Sequence, residues 1–99
     1  MAENDIQKSI LDYLAAKKHF YWRNNSGAMR TENGGWMRFG QKGSPDICVV
    51  KDGFFIGLEV KQKGGRQSPE QKDWEKRVKE AGGEYYVVSS IDDVINIGL

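Results

Sequence analysis

A chain of 99 residues, with 38% hydrophobic and 29% charged residues, has the composition of one globular domain rather than of a disordered segment. No apolar run approaches the ~20 residues that span a bilayer, and the acidic start MAENDIQKSI is unlike a signal or transit peptide, so we expect a cytoplasmic protein. The single cysteine and the single histidine exclude a disulfide within the chain and a conventional Cys/His zinc site. A bound metal would therefore need oxygen ligands.

The charges are unevenly distributed, although the net charge is only +1. Between Lys17 and Arg66 there are ten Lys and Arg residues against four Asp and Glu residues, and the flanking segments are correspondingly acidic. Two interpretations of this asymmetry stay open at this point: a basic face that binds phosphate groups, or ordinary solvated surface.

The first half of the chain predicts a helix, a strand and a hairpin. Apolar residues at helical spacing favour an amphipathic helix over 3–18, and the aromatic segment 19–23 is typical of a short strand. The glycine-rich segment 24–44 contains the sequences AMRT and WMRF on either side of the turn-forming residues 32–35. This arrangement favours a second, flexible hairpin.

The clearest local signal is a hairpin formed by residues 46–51 (DICVVK) and 54–61 (FFIGLEVK). The two β-rich runs are joined by Asp52-Gly53, and Asp-Gly suits a type I′ turn because both central residues of that turn need a positive φ. We therefore expect two antiparallel strands connected by a two-residue turn.

The rest of the chain predicts a helix, a strand and a short terminal helix. Ser68 is the expected N-cap of the first of these helices, and Gln71 is placed to close a capping box. Glycines 82–83 would end that helix, a strand would follow over 84–89, and a short helix would begin near residue 90. The predicted fold class is α/β, a small mixed sheet with a central hairpin flanked by helices.

The two-residue turn also predicts which side chains of the hairpin face each other. It places Asp46 opposite Glu59, with Cβ atoms ~4.5–5.5 Å apart, and the period of two puts Lys61 on the same face. Two opposed carboxylates on a covered sheet are destabilising unless they are compensated. One interpretation is an Asp/Glu/Lys ionic cluster at the sheet edge; the other is a site for Mg²⁺ or Mn²⁺, with the lysine acting on water or phosphate.

The same residues carry a family resemblance. Pro45-Asp46 followed by Glu59-Val60-Lys61 matches the PD-(D/E)XK pattern of the restriction-endonuclease-like nucleases. The wider chain resembles the stand-alone, phage-type virus-type replication-repair nuclease (VRR-NUC) domain over nearly its whole length. The likeness rests on Glu3 and on the segments 23–27, 43–47, 57–61 and 68–71. It implies one nuclease domain over 1–99 with a restriction-endonuclease-like core, located in a bacterial host cell if the protein is phage-encoded.

The resemblance also implies roles for individual residues. Asp46, Glu59, the backbone carbonyl of Val60 and, directly or through water, Glu3 would bind the metal. Lys61 would orient the attacking water or stabilise the charge that develops on the phosphate.

Two of the residues assigned to catalysis by the resemblance have an alternative interpretation. Glu3 could instead be an acid that interacts with the dipole of the first helix, where Asp5 competes for the ligand role. Gln71 resembles a family glutamine near the site, and its place in the capping box would explain it without catalysis.

Several basic and polar residues are candidates for contact with DNA, with solvated surface as the alternative. They are Arg23, Asn25, Arg30, Arg38, Lys42 and Lys63. Tryptophans more often lie in a core or an interface than stack on bases, and Trp36 in the glycine-rich basic segment is the best exception.

The function implied by the resemblance is that of a structure-selective DNA endonuclease. It would need Mg²⁺, for which Mn²⁺ could substitute, and would act as a homodimer on branched or duplex DNA, in the manner of Holliday-junction resolvases. Neither a membrane partner nor a small-molecule cofactor is expected. Three alternatives stay open: a nickase or flap-type nuclease of phage replication, a catalytically silent nucleic-acid-binding module, and an adaptor whose ionic cluster is purely structural.

Overall fold

A computed structural model describes residues 2–24 and 27–99, apart from the side chains of Arg38 and Phe39. Within these ranges the helices and strands follow one another in the order that the sequence predicts. In chain order they are α1 (Glu3–Ala16), β1 (Phe20–Arg23), β2 (Gly27–Arg30), β3 (Trp36–Phe39), β4 (Ile47–Lys51), β5 (Phe54–Val60), α2 (Pro69–Glu80), β6 (Glu84–Val88) and α3 (Ile91–Asn96).

Four of the strands form one mixed sheet in the order β1-β4-β5-β6. The β1–β4 and β4–β5 pairs are antiparallel, whereas β5 and β6 run parallel. Strands β2 and β3 form a separate antiparallel pair, which confirms the second predicted hairpin. The α/β fold class and the small mixed sheet flanked by helices are confirmed.

The central hairpin has the predicted turn and register. Asp52 and Gly53 both have positive φ values, 54° and 82°, as a type I′ turn requires. Lys51 pairs with Phe54, and the same register continues to the pair Ile47 and Leu58. The next pair in this register is Asp46 and Glu59, so the turn brings the two acids opposite each other.

One face of the four-stranded sheet packs against α1 and α3. The buried apolar cluster on this face consists of Ile6, Ile10, Leu14, Ile47, Val49, Ile56, Leu58, Val60, Val88, Val94 and Leu99. The alternation of side chains in the sequence predicts that the apolar hairpin residues opposite the two acids share this face, namely Ile47, Val49, Phe54, Ile56, Leu58 and Val60. Five of them are buried, whereas Phe54 is 55% exposed because it lies at the hairpin tip, beside the turn.

Helix α2 begins with the predicted capping box and lies on the other side of the sheet. The Ser68 hydroxyl accepts a hydrogen bond from the Gln71 N–H (3.2 Å), and the Gln71 side-chain oxygen accepts one from the Ser68 N–H (2.8 Å). Trp74 and Val78 of α2 border an apolar surface with Phe55 of β5. Helix α2 therefore lies over the face of the hairpin that carries Glu59 and Phe55.

Across residues 2–24 and 27–99, no helix combines the length and the apolar character that crossing a membrane requires.

Candidate active site

Two carboxylates meet at the open end of the central hairpin. Asp46 immediately precedes β4 and is partly exposed, whereas Glu59 lies within β5 and is only 2% exposed. Lys61 follows directly after β5, where its backbone N–H donates to the carbonyl of Val88 (3.0 Å). The structure thus brings together the three residues that the turn geometry placed on one face.

The Asp46 side chain is fixed by the backbone of the neighbouring strand. Its Oδ2 atom accepts a hydrogen bond from the Val60 N–H at 2.8 Å. Val60 therefore contacts the site through its N–H, and the use of its carbonyl as a metal ligand stays a prediction.

Asn24 holds the segment that leads into Asp46. Its side-chain amide donates to the Ser44 hydroxyl (2.9 Å) and to the Pro45 carbonyl (2.8 Å), and its backbone N–H donates to the Asp46 carbonyl (2.8 Å). Sequence reasoning did not single out Asn24, although it lies in the segment 23–27 that carried part of the resemblance. These three contacts fix the backbone of an acid that lies just outside its strand.

Gly57 leaves the space that Pro45 occupies. A Cβ atom at Gly57 would lie 2.8 Å from Cγ of Pro45, closer than two carbon atoms approach without a shift. We expect Gly57→Ala to lower the free energy of unfolding by about 1–3 kcal/mol, since overpacking displaces the ring. It should also reduce cleavage, because Asp46 follows Pro45.

Urea denaturation and cleavage assays would test this expectation with Gly35→Ala as the matched control. A Cβ atom at Gly35 would meet only Thr31 Oγ1 at 3.4 Å, an ordinary contact. Equal stability losses in the two variants would contradict the proposed role of Gly57.

The Glu59 carboxylate receives a hydrogen bond at each oxygen. The Gln71 side-chain amide donates to Oε1 (2.7 Å), and the Tyr85 hydroxyl donates to Oε2 (3.1 Å). Gln71 therefore closes the capping box and also contacts Glu59. The sequence suggests these as two alternative positions for its side chain, and the structure contains both sets of hydrogen bonds. Sequence reasoning missed Tyr85, because its position depends on the parallel pairing of β5 and β6.

The surroundings of Glu59 disfavour its negative charge. Burial is the main cause that raises the pKa of the Glu59 carboxyl from 4.5 to about 8, and the charge of Asp46 acts in the same direction. The Tyr85 hydrogen bond and the Lys61 charge lower this pKa by less. Burial and the charge of Glu59 also raise the pKa of the Tyr85 hydroxyl. At neutral pH the pair of acids thus needs either a bound proton or a cation.

The donor set fits a hard divalent cation. Asp46 and Glu59 supply adjacent carboxylate oxygens, and each oxygen that accepts one hydrogen bond keeps a further lone pair. Mg²⁺ is commonly held by one or two carboxylates together with water and substrate phosphate. Two acids are therefore a sufficient protein contribution for this ion.

Glu3 does not join this pair in the structure. It is exposed in the first turn of α1, and the described ranges contain no cluster of three or more His, Cys, Asp or Glu side chains that could hold a metal ion. Asp46, Glu59, Lys61 and Gln71 come together, while a ligand role for Glu3 stays a prediction.

The predicted DNA contacts lie on several surfaces. Arg23 ends β1 and is exposed, as is Lys63 in the loop after β5. Arg30 is exposed on β2 and pairs with Trp36, which is 71% exposed. Lys42 forms a surface ion pair with Glu70 (3.2 Å).

Two of the predicted DNA contacts fall where the structure gives no side chain. Asn25 lies outside the described residues. Arg38 belongs to β3, where its backbone pairs with Ala28, and its side chain lies outside the described part.

Comparisons with known proteins identify the family to which this fold belongs. The family model of the VRR-NUC domain matches residues 2–92. A solved structure described as "VRR_NUC domain" is similar with a TM-score of 0.69 and 23% sequence identity, over 96% of this chain and 91% of that chain. No curated protein matches the chain. The protein therefore belongs to the VRR-NUC domain family, which implies a nuclease-type function.

Proposed function

We propose that this chain is a divalent-metal-dependent endonuclease that hydrolyses phosphodiester bonds in branched DNA, with residues 1–99 acting as one nuclease domain. The observation that carries the proposal is the buried Glu59 carboxyl, which the β4–β5 register, continued by one pair, puts opposite Asp46, with Lys61 directly after the end of β5. A purely structural pair would cost stability without an evident return, since two carboxylates in a covered site repel each other. A cation would offset both charges.

Asp46, Glu59 and the Val60 carbonyl would hold the Mg²⁺ or Mn²⁺ ion, with Glu3 contributing through water. When bound, the cation would polarise the scissile phosphate and make a nearby water molecule more acidic. The hydrogen bonds that the Glu59 oxygens accept come from two neutral donors, the Gln71 amide and the Tyr85 hydroxyl, so they leave the charge of the two acids to be offset by a cation.

Lys61 is proposed to act on the reacting groups themselves. Its ammonium group would orient the attacking water or stabilise the negative charge that develops on the phosphate oxygens. The attacking water would release a proton to solvent and its oxygen would bond to phosphorus while the bond to the 3′ oxygen breaks, which would leave a 5′-phosphate. The leaving 3′ oxygen would take up a proton from solvent.

Arg23 and the β2–β3 hairpin are the proposed contacts to the DNA. Arg23 pairs with Ile47, the residue after Asp46, so Arg23 lies on the strand next to the one that begins after Asp46. On the hairpin, the pairing of Arg30 with the exposed Trp36 puts a cation and an aromatic ring on one face. That combination suits a phosphate and an unstacked base, as found at a branch point.

A homodimer is proposed for the active form. Two-fold symmetry would present two metal sites to the two symmetric strands of a four-way junction. Sedimentation velocity without and with junction DNA would measure this assembly.

Cleavage of a labelled four-way junction, compared with a linear duplex of the same arm sequence, tests the proposed function. With Mg²⁺ or Mn²⁺ we expect strand cuts near the branch point, and with EDTA we expect none. The junction should be cut at least ~10-fold faster than the duplex, a difference of about 1.4 kcal/mol in barrier.

Three outcomes would contradict parts of this proposal. Binding without cutting under any metal would identify a silent nucleic-acid-binding module. Equal rates on duplex and junction would remove the branch selectivity and leave the nuclease. Preferential cutting of a flap or a single nick would favour the role in phage replication over junction resolution.

A further inference from the structure

Tyr85 has no role in the proposed chemistry, yet it contacts one of the proposed metal ligands. Its side chain is 1% exposed, and its hydroxyl donates to Oε2 of Glu59 at 3.1 Å. In the parallel β5–β6 pair, Tyr85 lies beside Gly57 and Val87 lies beside Glu59. Because side chains alternate along strands, Tyr85 is on the same face of the sheet as Glu59.

The second donor to Glu59 comes from a different element. The Gln71 amide nitrogen donates to Oε1 at 2.7 Å, while the oxygen of the same side chain accepts from the Ser68 N–H at 2.8 Å. Gln71 is thus held at both ends of its amide. The carboxylate of Glu59 lies between a helix N-terminus and a strand, with one donor from each.

Two fixed donors determine the rotation of a carboxylate about its Cγ–Cδ bond. Each Glu59 oxygen keeps one lone pair, and the direction of that lone pair follows from the direction of the hydrogen bond that the oxygen accepts. Groups that orient a metal ligand in this way typically change metal affinity by ~10–100-fold when they are removed. A group that only satisfies a buried acid would not affect cation affinity selectively.

We propose that Tyr85 is a positioning residue that orients the Glu59 carboxylate and so sets the affinity of the site for a divalent cation. This inference rests on the proposed metal dependence. It assigns the function of Tyr85 to cation binding rather than to the chemical step.

The chain provides a matched control on the same strand. Tyr86 also donates its hydroxyl to a glutamate, Glu84, but it is packed against the apolar cluster on the opposite face of the sheet. Tyr85→Phe and Tyr86→Phe each remove one hydroxyl that a tyrosine of β6 donates to a glutamate. Only the first of these pairs includes a proposed metal ligand.

The test is a calorimetric titration of the DNA-free protein with Mn²⁺, followed by cleavage of the junction over a range of Mn²⁺ concentrations. For Tyr85→Phe we expect the Mn²⁺ Kd to rise about 10-fold or more, with kcat at saturating Mn²⁺ within about threefold of the unsubstituted protein. Tyr86→Phe should leave both quantities unchanged. Circular dichroism melting confirms that each variant is folded at the temperature of the titration.

Gln71→Leu extends the test to the second donor, and it should also raise the Mn²⁺ Kd, because the same carboxylate loses its other fixed contact. An unchanged Kd in Tyr85→Phe, or an equal rise in Tyr86→Phe, would overturn the inference while leaving the proposed nuclease intact. A lower kcat at saturating Mn²⁺ with an unchanged Kd would also overturn it. No Mn²⁺ binding by the unsubstituted protein would overturn the proposed metal dependence and this inference together.

Discussion

Asp46→Asn is expected to lower the rate of junction cleavage by at least ~1,000-fold while the hairpin stays folded. The substitution removes the charge that would hold the cation but keeps the shape of the side chain. The asparagine carbonyl oxygen can still accept the hydrogen bond from the Val60 N–H that Asp46 accepts at 2.8 Å. Single-turnover cleavage with saturating enzyme would measure the chemical step separately from DNA binding.

Asp93→Asn is the matched control for this experiment. Asp93 in α3 also accepts a hydrogen bond from a backbone N–H, that of Ser89, at 2.8 Å, and it belongs to the opposite side of the sheet. It should leave the cleavage rate unchanged. Activity of Asp46→Asn within tenfold of the unsubstituted protein would contradict the assignment of Asp46 as a ligand.

The metal-free protein is expected to lose stability as the pH rises from about 4.5 to about 8. In the folded state the pKa of Glu59 is raised from 4.5 to about 8, mainly by burial and further by the charge of Asp46. Within this window the folded protein keeps a proton that the unfolded chain releases, so the free energy of unfolding falls with increasing pH. The loss is on the order of a few kcal/mol, and it is complete above the folded pKa.

Urea denaturation in EDTA at several pH values would measure this dependence, and Glu59→Gln isolates the contribution of one carboxyl. The amide cannot titrate, so the variant should show a flatter profile and exceed the unsubstituted protein in stability at pH values above 8. It should also be inactive as a nuclease, because a ligand charge is lost. Parallel pH profiles for the two proteins would show that another group carries the dependence.

Addition of Mn²⁺ above the folded pKa should restore much of the stability of the unsubstituted protein, since a cation replaces the lost proton as the compensating charge. Glu59→Gln should gain far less from the same addition. This difference links the pH dependence to the proposed site.

Much of the site follows from short-range sequence patterns. The Asp52-Gly53 turn determines the register of β4 against β5, and the register alone opposes Asp46 and Glu59. The capping box at Ser68 and Gln71 is likewise contained within four residues. These features are predictable because their geometry depends on a few adjacent residues and on the period of a strand or helix.

The parts that escaped prediction depend on contacts between segments distant in sequence. Tyr85 contacts Glu59 because β6 pairs in parallel with β5. The order of strands in a sheet cannot be predicted from the periodicity of a short segment. Asn24 holds the approach to Asp46 across some twenty residues of chain. The prediction that Phe54 is buried is wrong, because the alternation of side chains indicates the face of a strand but not how far the helices cover that face.

Gln71 shows a different limit of reasoning from sequence. From the sequence, capping and contact with the site are alternatives for this residue. In the structure its amide oxygen accepts from the Ser68 N–H and its amide nitrogen donates to Glu59. A residue with separate donor and acceptor atoms can hold two roles at once.

The two-residue turn also constrains how this hairpin can change in length. Asp46 and Glu59 enclose twelve residues, and around such a turn any directly opposed pair encloses an even number. A hairpin with both strands extended equally would keep its acids face to face at a wider spacing. An insertion of one residue in a single strand would instead turn one acid towards the apolar cluster between the sheet and helices α1 and α3. Related hairpins with this turn are therefore expected to vary in length by pairs of residues, and an odd spacing would indicate a different turn or a bulge.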